Sequence, residues 1–454
     1  MDPRVGVILA AGLGTRMKSS VPKVLHKVCG QEMLLYPVRT LNEAGVDRIV
    51  VVVSPANEGA VRDLLGESVQ YVVQHQPLGT GHALLQAAPL LAGQDAHVAV
   101  IGADMPLVKA ETMQSLLDLH SSRKACMTLL VSSPAPQKDM GRLMHDEDGR
   151  VVAVVEAVEP DAGKASEQVN GGSYWFQGSW LWPNLTEIPL GEKGEFYLTS
   201  LVAMAAAQGQ GVEALVADDP AEVLGINNRL QMSQVEAALY GRIRERWMLE
   251  GVTMIDPAST FIDASAVMGQ DTLVYPNTMV LGDSRVGKEC TLGPASVIRD
   301  SQVGDRCRIT ASHLEGAILE EDVDMGPFSH LRPGAYIEKG VHLGNFCEVK
   351  NSRLGQGVAM GHFGYVGDAT IGAGVNLGAG MVTCNYDGVE HLHTVVEDGA
   401  FIGCDTMLVA PVRVGSNSIT AAGSVVTSDV PPGRLAVGVP ARIRKSKRIS
   451  EKQR

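Results

Sequence analysis

The segment LAAGLGTRM, from Leu9 to Met17, follows the apolar run from Val5 to Ile8 and precedes Lys23 by six residues. Gly12 and Gly14 carry no side chains, so backbone N–H groups there can approach an anion closely, while Arg16 and Lys23 bring positive charge to the same place. This is the chemistry of a phosphate cradle, and it points to a nucleotide substrate. The same residues also read as a plain strand-to-helix turn; the two cations at short spacing favour phosphate. Met17 stands where the third glycine of a dinucleotide fingerprint would fall, and there is no G-K-S/T for a Walker A loop.

A cradle of this kind needs a sheet behind it. Short apolar runs at Val5–Leu9, Arg48–Val53, Val69–Val73, His97–Ile101 and Met127–Val131 alternate with helical stretches. That alternation predicts an α/β unit with a mostly parallel, helix-covered sheet, whose ligands sit beyond the carboxyl ends of the strands. The glycine loop and Asp104 both fall on that edge. From Asn228 to Glu250, Val235, Leu239, Ile243 and Trp247 recur every four residues among charged ones, which predicts one amphipathic connecting helix.

Beyond Gly251 the period becomes six. Apolar residues fall at Ile262, Met268, Val274, Val280, Val286, Leu292 and Ile298, and again at Ile402, Leu408 and Val414, with Thr420 and Val426 in register. Neither a helix nor a half-buried strand has that interval, whereas a solenoid with six-residue flat sides does. Gly269, Gly287, Gly293, Gly403 and Gly415 suit its corners. The register slips by one at Val303, Leu354 and Ile371. It is lost at Leu314–Gly340 and Cys384–Gly399, where projecting loops are expected. The basic tail, Ala441–Arg454, reads as a solvated, poorly ordered end, with a specific binding arm as the alternative.

At 454 residues and 45% hydrophobic, the chain is long and apolar enough for two to four soluble domains. Its net charge of -13 opposes general binding to nucleic acid or anionic membrane, so an anionic substrate must be met by local cations. Seven scattered cysteines without a C-x-x-C suggest neither a disulfide framework nor a zinc site, and fit a reducing cytoplasm. Val5–Ala11 is too short to span a bilayer.

Together with GADMPL, GINNRL, LGTGHA, LRPGA, NFCEVKNSRLG, GHFGYVGDA, NLGAG and CNYDG, these features resemble one family over nearly the whole chain. It is the family of bacterial bifunctional N-acetylglucosamine-1-phosphate uridyltransferases and glucosamine-1-phosphate acetyltransferases. The resemblance implies a Rossmann-like nucleotidyltransferase domain (1–228), a linker helix (229–250) and a left-handed parallel β-helix of hexapeptide repeats (251–454) that forms a homotrimer. It also implies acetyl transfer from acetyl-CoA to glucosamine-1-phosphate, followed by Mg²⁺-dependent transfer of uridylyl from UTP, with pyrophosphate released. The product feeds cell-wall synthesis. The alternatives are the same architecture acting on another nucleotide and sugar-1-phosphate, or a nucleotidyltransferase with a non-catalytic β-helix.

For uridylyl transfer, the resemblance implies contacts from Leu9, Ala10, Ala11, Gly12, Lys23, Gln74, Gly79, Thr80, Gly102, Asp104, Gly141, Glu156, Asn170 and Asn227. Arg16 and Lys23 act on the triphosphate, and Mg²⁺ lies between Asp104 and Asn227. One carboxylate and one amide suit Mg²⁺, which takes its remaining ligands from water and phosphate. The chain departs from the family's Tyr-Gly-Asp at Gly102-Ala103-Asp104, where the Ala103 methyl is expected to face the nucleotide. Ser200 of YLTS also stands where an acid often sits.

For acetyl transfer, His362 is the implied base, a role that a neutral imidazole suits, and Asn385 orients it or the amine. Arg332, Lys350 and Tyr365 would bind the sugar phosphate, with Glu348, Asn376 and Tyr386 at the sugar. Ala379, Asn385, Tyr386, Cys404 and Ala422 would meet acetyl-CoA. Cys404 replaces an expected serine and reads as a buried, inert thiol. Gly438-Val439-Pro440 lacks the arginine that often precedes Val-Pro, which Arg442 or Arg444 would replace.

Overall fold

The structure is a computed structural model describing residues 3–137, 140–155, 165–191 and 194–445. Its contacts divide into two compact units, Met1–Leu239 and Tyr240–Arg454.

The first unit is built on a mixed sheet. Its spine runs Val212–Val216, Met127–Ser132, Val169–Gln177, His97–Gly102, Arg4–Leu9, Arg48–Val53 and Gln70–Val73. The strand Arg48–Val53 shows why: Val50 to Val53 are all fully buried, the continuous apolar run of a parallel strand covered on both faces. Two apolar clusters fill those faces. Arg4–Leu9 lies parallel to both neighbours, with Leu9 opposite Gly102. The loop after Leu9 and the segment leading to Asp104 therefore leave the sheet side by side. Five strands lie within one residue of expectation. Val169–Gln177, which periodicity does not reveal, is antiparallel to all three of its partners and carries the fully buried Trp175 and Phe176. The glycine loop leads into two 3₁₀ turns, Thr15–Met17 and Lys23–Leu25, rather than an α-helix. Side-chain cations therefore have to supply the charge that a helix N-terminus would otherwise bring.

The helix Arg229–Leu249 crosses the division between the units. Val235, Leu239, Ile243 and Trp247 are all buried, as their spacing predicts.

The second unit is a left-handed parallel β-helix whose short strands stack into three sheets of twelve, ten and nine strands. Every apolar position named from the six-residue period is buried, Ile262 to Ile298 and Ile402 to Val426 alike. Each such side chain contributes about 1.5–3 kcal/mol of burial, and a coil supplies three of them, so stacking of neighbouring coils carries the domain. A Cβ at Gly269 would lie 2.4 Å from the backbone of Gly287 one coil on, so glycine there allows adjacent corners to approach. Val303, Leu354 and Ile371 are buried after five-residue sides, confirming the slips.

Two expectations need correction. Leu314–Gly340 holds no projecting loop: Leu314, Leu319, Met325, Leu331 and Ile337 continue inward on regular strands, and two successive five-residue steps, Ile309 to Leu314 and Leu314 to Leu319, hide the register. The tail is ordered further than expected, since Arg442–Lys445 pairs antiparallel with Arg434–Val437. Residues 446–454 lie outside the described residues. The excursion at Cys384–Gly399 is real, running from Val382–Cys384 to Thr394–Val396 with a bridge between Tyr386 and His391.

Candidate functional site

At the carboxyl edge of the first unit's sheet, the Lys23 ammonium lies between two oxygens, 2.5 Å from Asp104 Oδ2 and 3.0 Å from Asn227 Oδ1. The fold brings these distant residues together through the backbone. Ala103 N–H donates to the Leu9 carbonyl at 3.0 Å, and Ile226 N–H donates to the Asp104 carbonyl at 3.0 Å. Asn57 Nδ2 fixes the Ala10 carbonyl at 2.8 Å, a support no sequence signal indicates. Gly12 has open space around its Cβ direction, whereas Gly14, at φ 63°, would press a Cβ to 2.6 Å from Lys23 Cβ. Gly12 therefore faces the open cradle, and Gly14 shapes the turn that presents Lys23. Arg16 is exposed above it.

Two oxygens converging on one cation are a suitable donor pair for Mg²⁺, with an ammonium now standing where a metal would balance the charge. No group of three or more His, Cys, Asp or Glu among the described residues could hold a metal ion, so further ligands would come from phosphate and water. A Cβ at Gly102 would meet Asp104 Oδ1 at 2.5 Å, so glycine makes room for this carboxylate. The Ala103 methyl is not presented to the open edge: Ala103 is 1% exposed and packs in the core.

Gln74 is buried, and its Nε2 donates to the Gly79 carbonyl at 3.1 Å while lying 3.0 Å from His82 Nδ1. Gly79, at φ 101°, has no room for a Cβ, which would stand 2.6 Å from the Phe196 carbonyl oxygen. Thr80 Oγ1 accepts from Leu198 N–H at 3.0 Å. This segment is thus held tightly against Phe196–Leu198. Gly141 and Asn170 are joined by a 2.8 Å backbone bond, and Asn170 Nδ2 donates to the Tyr174 hydroxyl at 2.6 Å. Glu156 lies outside the described residues.

In the second unit, Glu348 lies opposite Tyr365, and Lys350 opposite Gly367, on neighbouring rungs of one face. Arg332 Nη1 donates to Glu348 Oε1 at 2.9 Å. Arg332, Glu348, Lys350 and Tyr365 thus form one polar patch. Asn376 is not part of it, because it belongs to a different sheet, between Ala359 and Phe401. His362, exposed, occupies the corner leading into the strand that carries Tyr365.

Register places Met360, Leu377, Ile402 and Thr420 on successive rungs. Two residues beyond each, His362, Ala379, Cys404 and Ala422 follow one another up the same corner. Cross-coil bonds fix that alignment: Asp405 N–H donates to the Ala379 carbonyl at 2.7 Å, and Gly423 N–H to the Cys404 carbonyl at 2.8 Å. Cys404 is exposed on this row and not buried, since the corner turns its thiol outward while Ile402 fills the core. None of the described hydrogen bonds uses the Ala379 N–H.

Asn385 is buried, and its Nδ2 donates to Asp368 Oδ2. Tyr386 is exposed, its ring 5.1 Å from that of His391. Arg442 and Arg444 are exposed on the terminal strand. Asp368 was not singled out from sequence, although it stands inside GHFGYVGDA.

The two units have the architecture of a nucleotidyltransferase and of a hexapeptide acyltransferase: one chain with two transferase sites. Residues 6–163 match the model of the MobA-like NTP transferase domain, and residues 393–428 match that of the bacterial transferase hexapeptide, six repeats. The chain is 43% identical over 440 residues to the bifunctional protein GlmU of Heliobacterium modesticaldum, covering 96% of each protein. It is 39% identical over 454 residues, the full length of both, to that of Halalkalibacterium halodurans. The chain belongs to the bifunctional GlmU family, and is a uridylyltransferase and acetyltransferase.

Proposed function

We propose that residues 251–454 acetylate glucosamine-1-phosphate with acetyl-CoA, and that residues 1–228 join the resulting N-acetylglucosamine-1-phosphate to UTP. The helix at 229–250 connects the two. The observation that carries this reading is the place of His362, where the row of small corner residues meets the face bearing Lys350 and Tyr365.

Arg332, Lys350 and Tyr365 hold the sugar phosphate, supplying the local cations that a chain of net charge -13 needs. The row from His362 to Ala422 spans three inter-strand steps, about 14 Å, a length suited to an extended pantetheine arm. His362 takes a proton from the amine as its nitrogen bonds to the thioester carbon. The carbon–sulfur bond breaks, and the proton passes to the departing thiolate, giving CoA and the N-acetyl product. The Ala379 N–H faces the thioester oxygen as charge develops there.

In the first unit the attacking phosphate is already ionised and pyrophosphate is a good leaving group, so positioning and charge neutralisation suffice. Asp104 and Asn227 hold Mg²⁺, which when bound neutralises triphosphate charge and polarises the α-phosphate. Lys23, displaced from the two oxygens, turns to the phosphates with Arg16 and follows charge to the leaving group. The peptide groups of Leu9 to Gly12 line the triphosphate. Gln74, Gly79 and Thr80 bound the uracil, and Gly102 lies beside the nucleotide. Gly141, Glu156 and Asn170 meet the sugar.

A homotrimer through the β-helix would cover the exposed ring ladder of Phe328, Phe346 and Phe363, of which Phe328 and Phe346 stack at 5.5 Å. It would also let a second copy's Asn376 face complete what one chain holds apart. Seven free cysteines fit a reducing cytoplasm, and no helix among the described residues is long and apolar enough to cross a membrane.

A panel of UTP, dTTP and GTP with several sugar-1-phosphates tests substrate choice. UTP with N-acetylglucosamine-1-phosphate is expected to exceed every other pair by about tenfold or more in kcat/KM. Turnover of dTTP and glucose-1-phosphate without turnover of the first pair would overturn the assignment.

A further inference from the structure

The acetyl-transfer scheme leaves one carboxylate unused. Asp368 is 8% exposed. Its Oδ1 accepts from Asn351 Nδ2 at 2.7 Å, and its Oδ2 accepts from Asn385 Nδ2 and lies 3.2 Å from His391 Nδ1. Burial alone would raise this carboxyl, but the donors Asn351 and Asn385 and the nearby charges of Lys350 and His391 outweigh it and hold Asp368 below the usual carboxylate range. Asp368 is therefore an anion at neutral pH, with oxygens that only accept.

An acceptor-only partner decides how Asn385 is turned. Its NH2 must face Asp368, which puts its carbonyl on the opposite side. No described hydrogen bond uses Asn385 Oδ1, and the side chain is 6% exposed. What Asn385 offers a ligand is a fixed, neutral acceptor.

We propose that Asp368 is a positioning residue that fixes Asn385 as the hydrogen-bond acceptor for the attacking amine. This rests on the assignment of acetyl transfer to the second unit. An amine has two N–H bonds and one lone pair. His362 removes one proton, Asn385 Oδ1 holds the other N–H, and the lone pair is left aimed at the thioester carbon. An asparagine turned the other way would donate toward that lone pair and compete with the attack.

An exchange of the two side chains tests this. In Asn385→Asp two carboxylates face each other, and kcat for CoA release is expected to fall about 100-fold. In the double variant Asp368→Asn with Asn385→Asp, the amide at 368 keeps its oxygen toward Asn351 and turns its NH2 to the new carboxylate. The other oxygen of that carboxylate then takes the acceptor's place. The double variant is expected to recover kcat about tenfold or more over Asn385→Asp. Asp368→Ala reads the same point independently: kcat should fall about tenfold with KM for acetyl-CoA unchanged.

Uridylyl transfer and thermal unfolding on the same preparations control for folding. A folded double variant no faster than Asn385→Asp overturns the proposal, because Asn385 then acts as a donor or by packing. So does an unchanged kcat in Asp368→Ala. Wild-type protein that released no CoA would instead refute the assignment of acetyl transfer, and this proposal with it.

Discussion

His362→Ala is expected to slow acetyl transfer by about 10²–10⁴-fold while uridylyl transfer stays at its wild-type rate. The size follows from losing the group proposed to receive the amine proton, and the selectivity from the division of the chain. His362 lies in the second compact unit, and Lys23, Asp104 and Asn227 lie in the first. The substitution removes an exposed ring at a corner and takes nothing from the core, where Met360 and Val366 are fully buried on either side. The variant should therefore unfold at the wild-type temperature. Separate assays of CoA release and of pyrophosphate release check both parts. Equal loss of the two activities would show that one site serves both reactions.

The reciprocal experiment has an effect of similar size. Asp104→Ala removes the one carboxylate of the proposed Mg²⁺ pair and the partner of the Lys23 ammonium, so uridylyl transfer should fall by about 10²–10³-fold or more, with acetyl transfer untouched. Asn227 alone is a neutral oxygen and holds a hard divalent cation poorly. Asp104→Glu should not restore the rate, because the longer side chain carries its carboxylate away from Asn227 Oδ1, the oxygen that Lys23 bridges to Asp104. Pyrophosphate release across a Mg²⁺ titration checks this, and a near-normal rate would remove Asp104 from the metal pair.

The repetitive parts of the molecule were the most legible in sequence. A six-residue interval has one inward side chain per flat side, so Ile262 to Ile298 announce a solenoid, and all of them are buried. Val50 to Val53 likewise announce a doubly covered strand. Features set by short steps or by long-range pairing were hidden. Two successive five-residue sides, ending at Leu314 and Leu319, make a regular stretch look interrupted. Val169–Gln177 takes its place between two distant strands, which no local pattern encodes.

The site divides in the same way. Gly12, Lys23 and Asp104 were visible as residue types, but the Ala103 methyl was misplaced because alternation along the strand end, not the motif, decides that it points into the core. Cys404 was misjudged for a related reason: thiols are usually buried, yet the position two residues after an inward Ile402 is an outward corner. Asp368 was overlooked because its role depends on donors, Asn351 and Asn385, that lie one coil away on either side.

The central claim is that one chain carries two consecutive reactions. Purified protein given glucosamine-1-phosphate, acetyl-CoA, UTP and Mg²⁺ tests it directly, with product identified by mass spectrometry. UDP-N-acetylglucosamine is expected, with one CoA and one pyrophosphate released per molecule formed, and no nucleotide sugar when acetyl-CoA is omitted. UDP-glucosamine formed without acetyl-CoA, or a mixture in which no CoA is released, would contradict it.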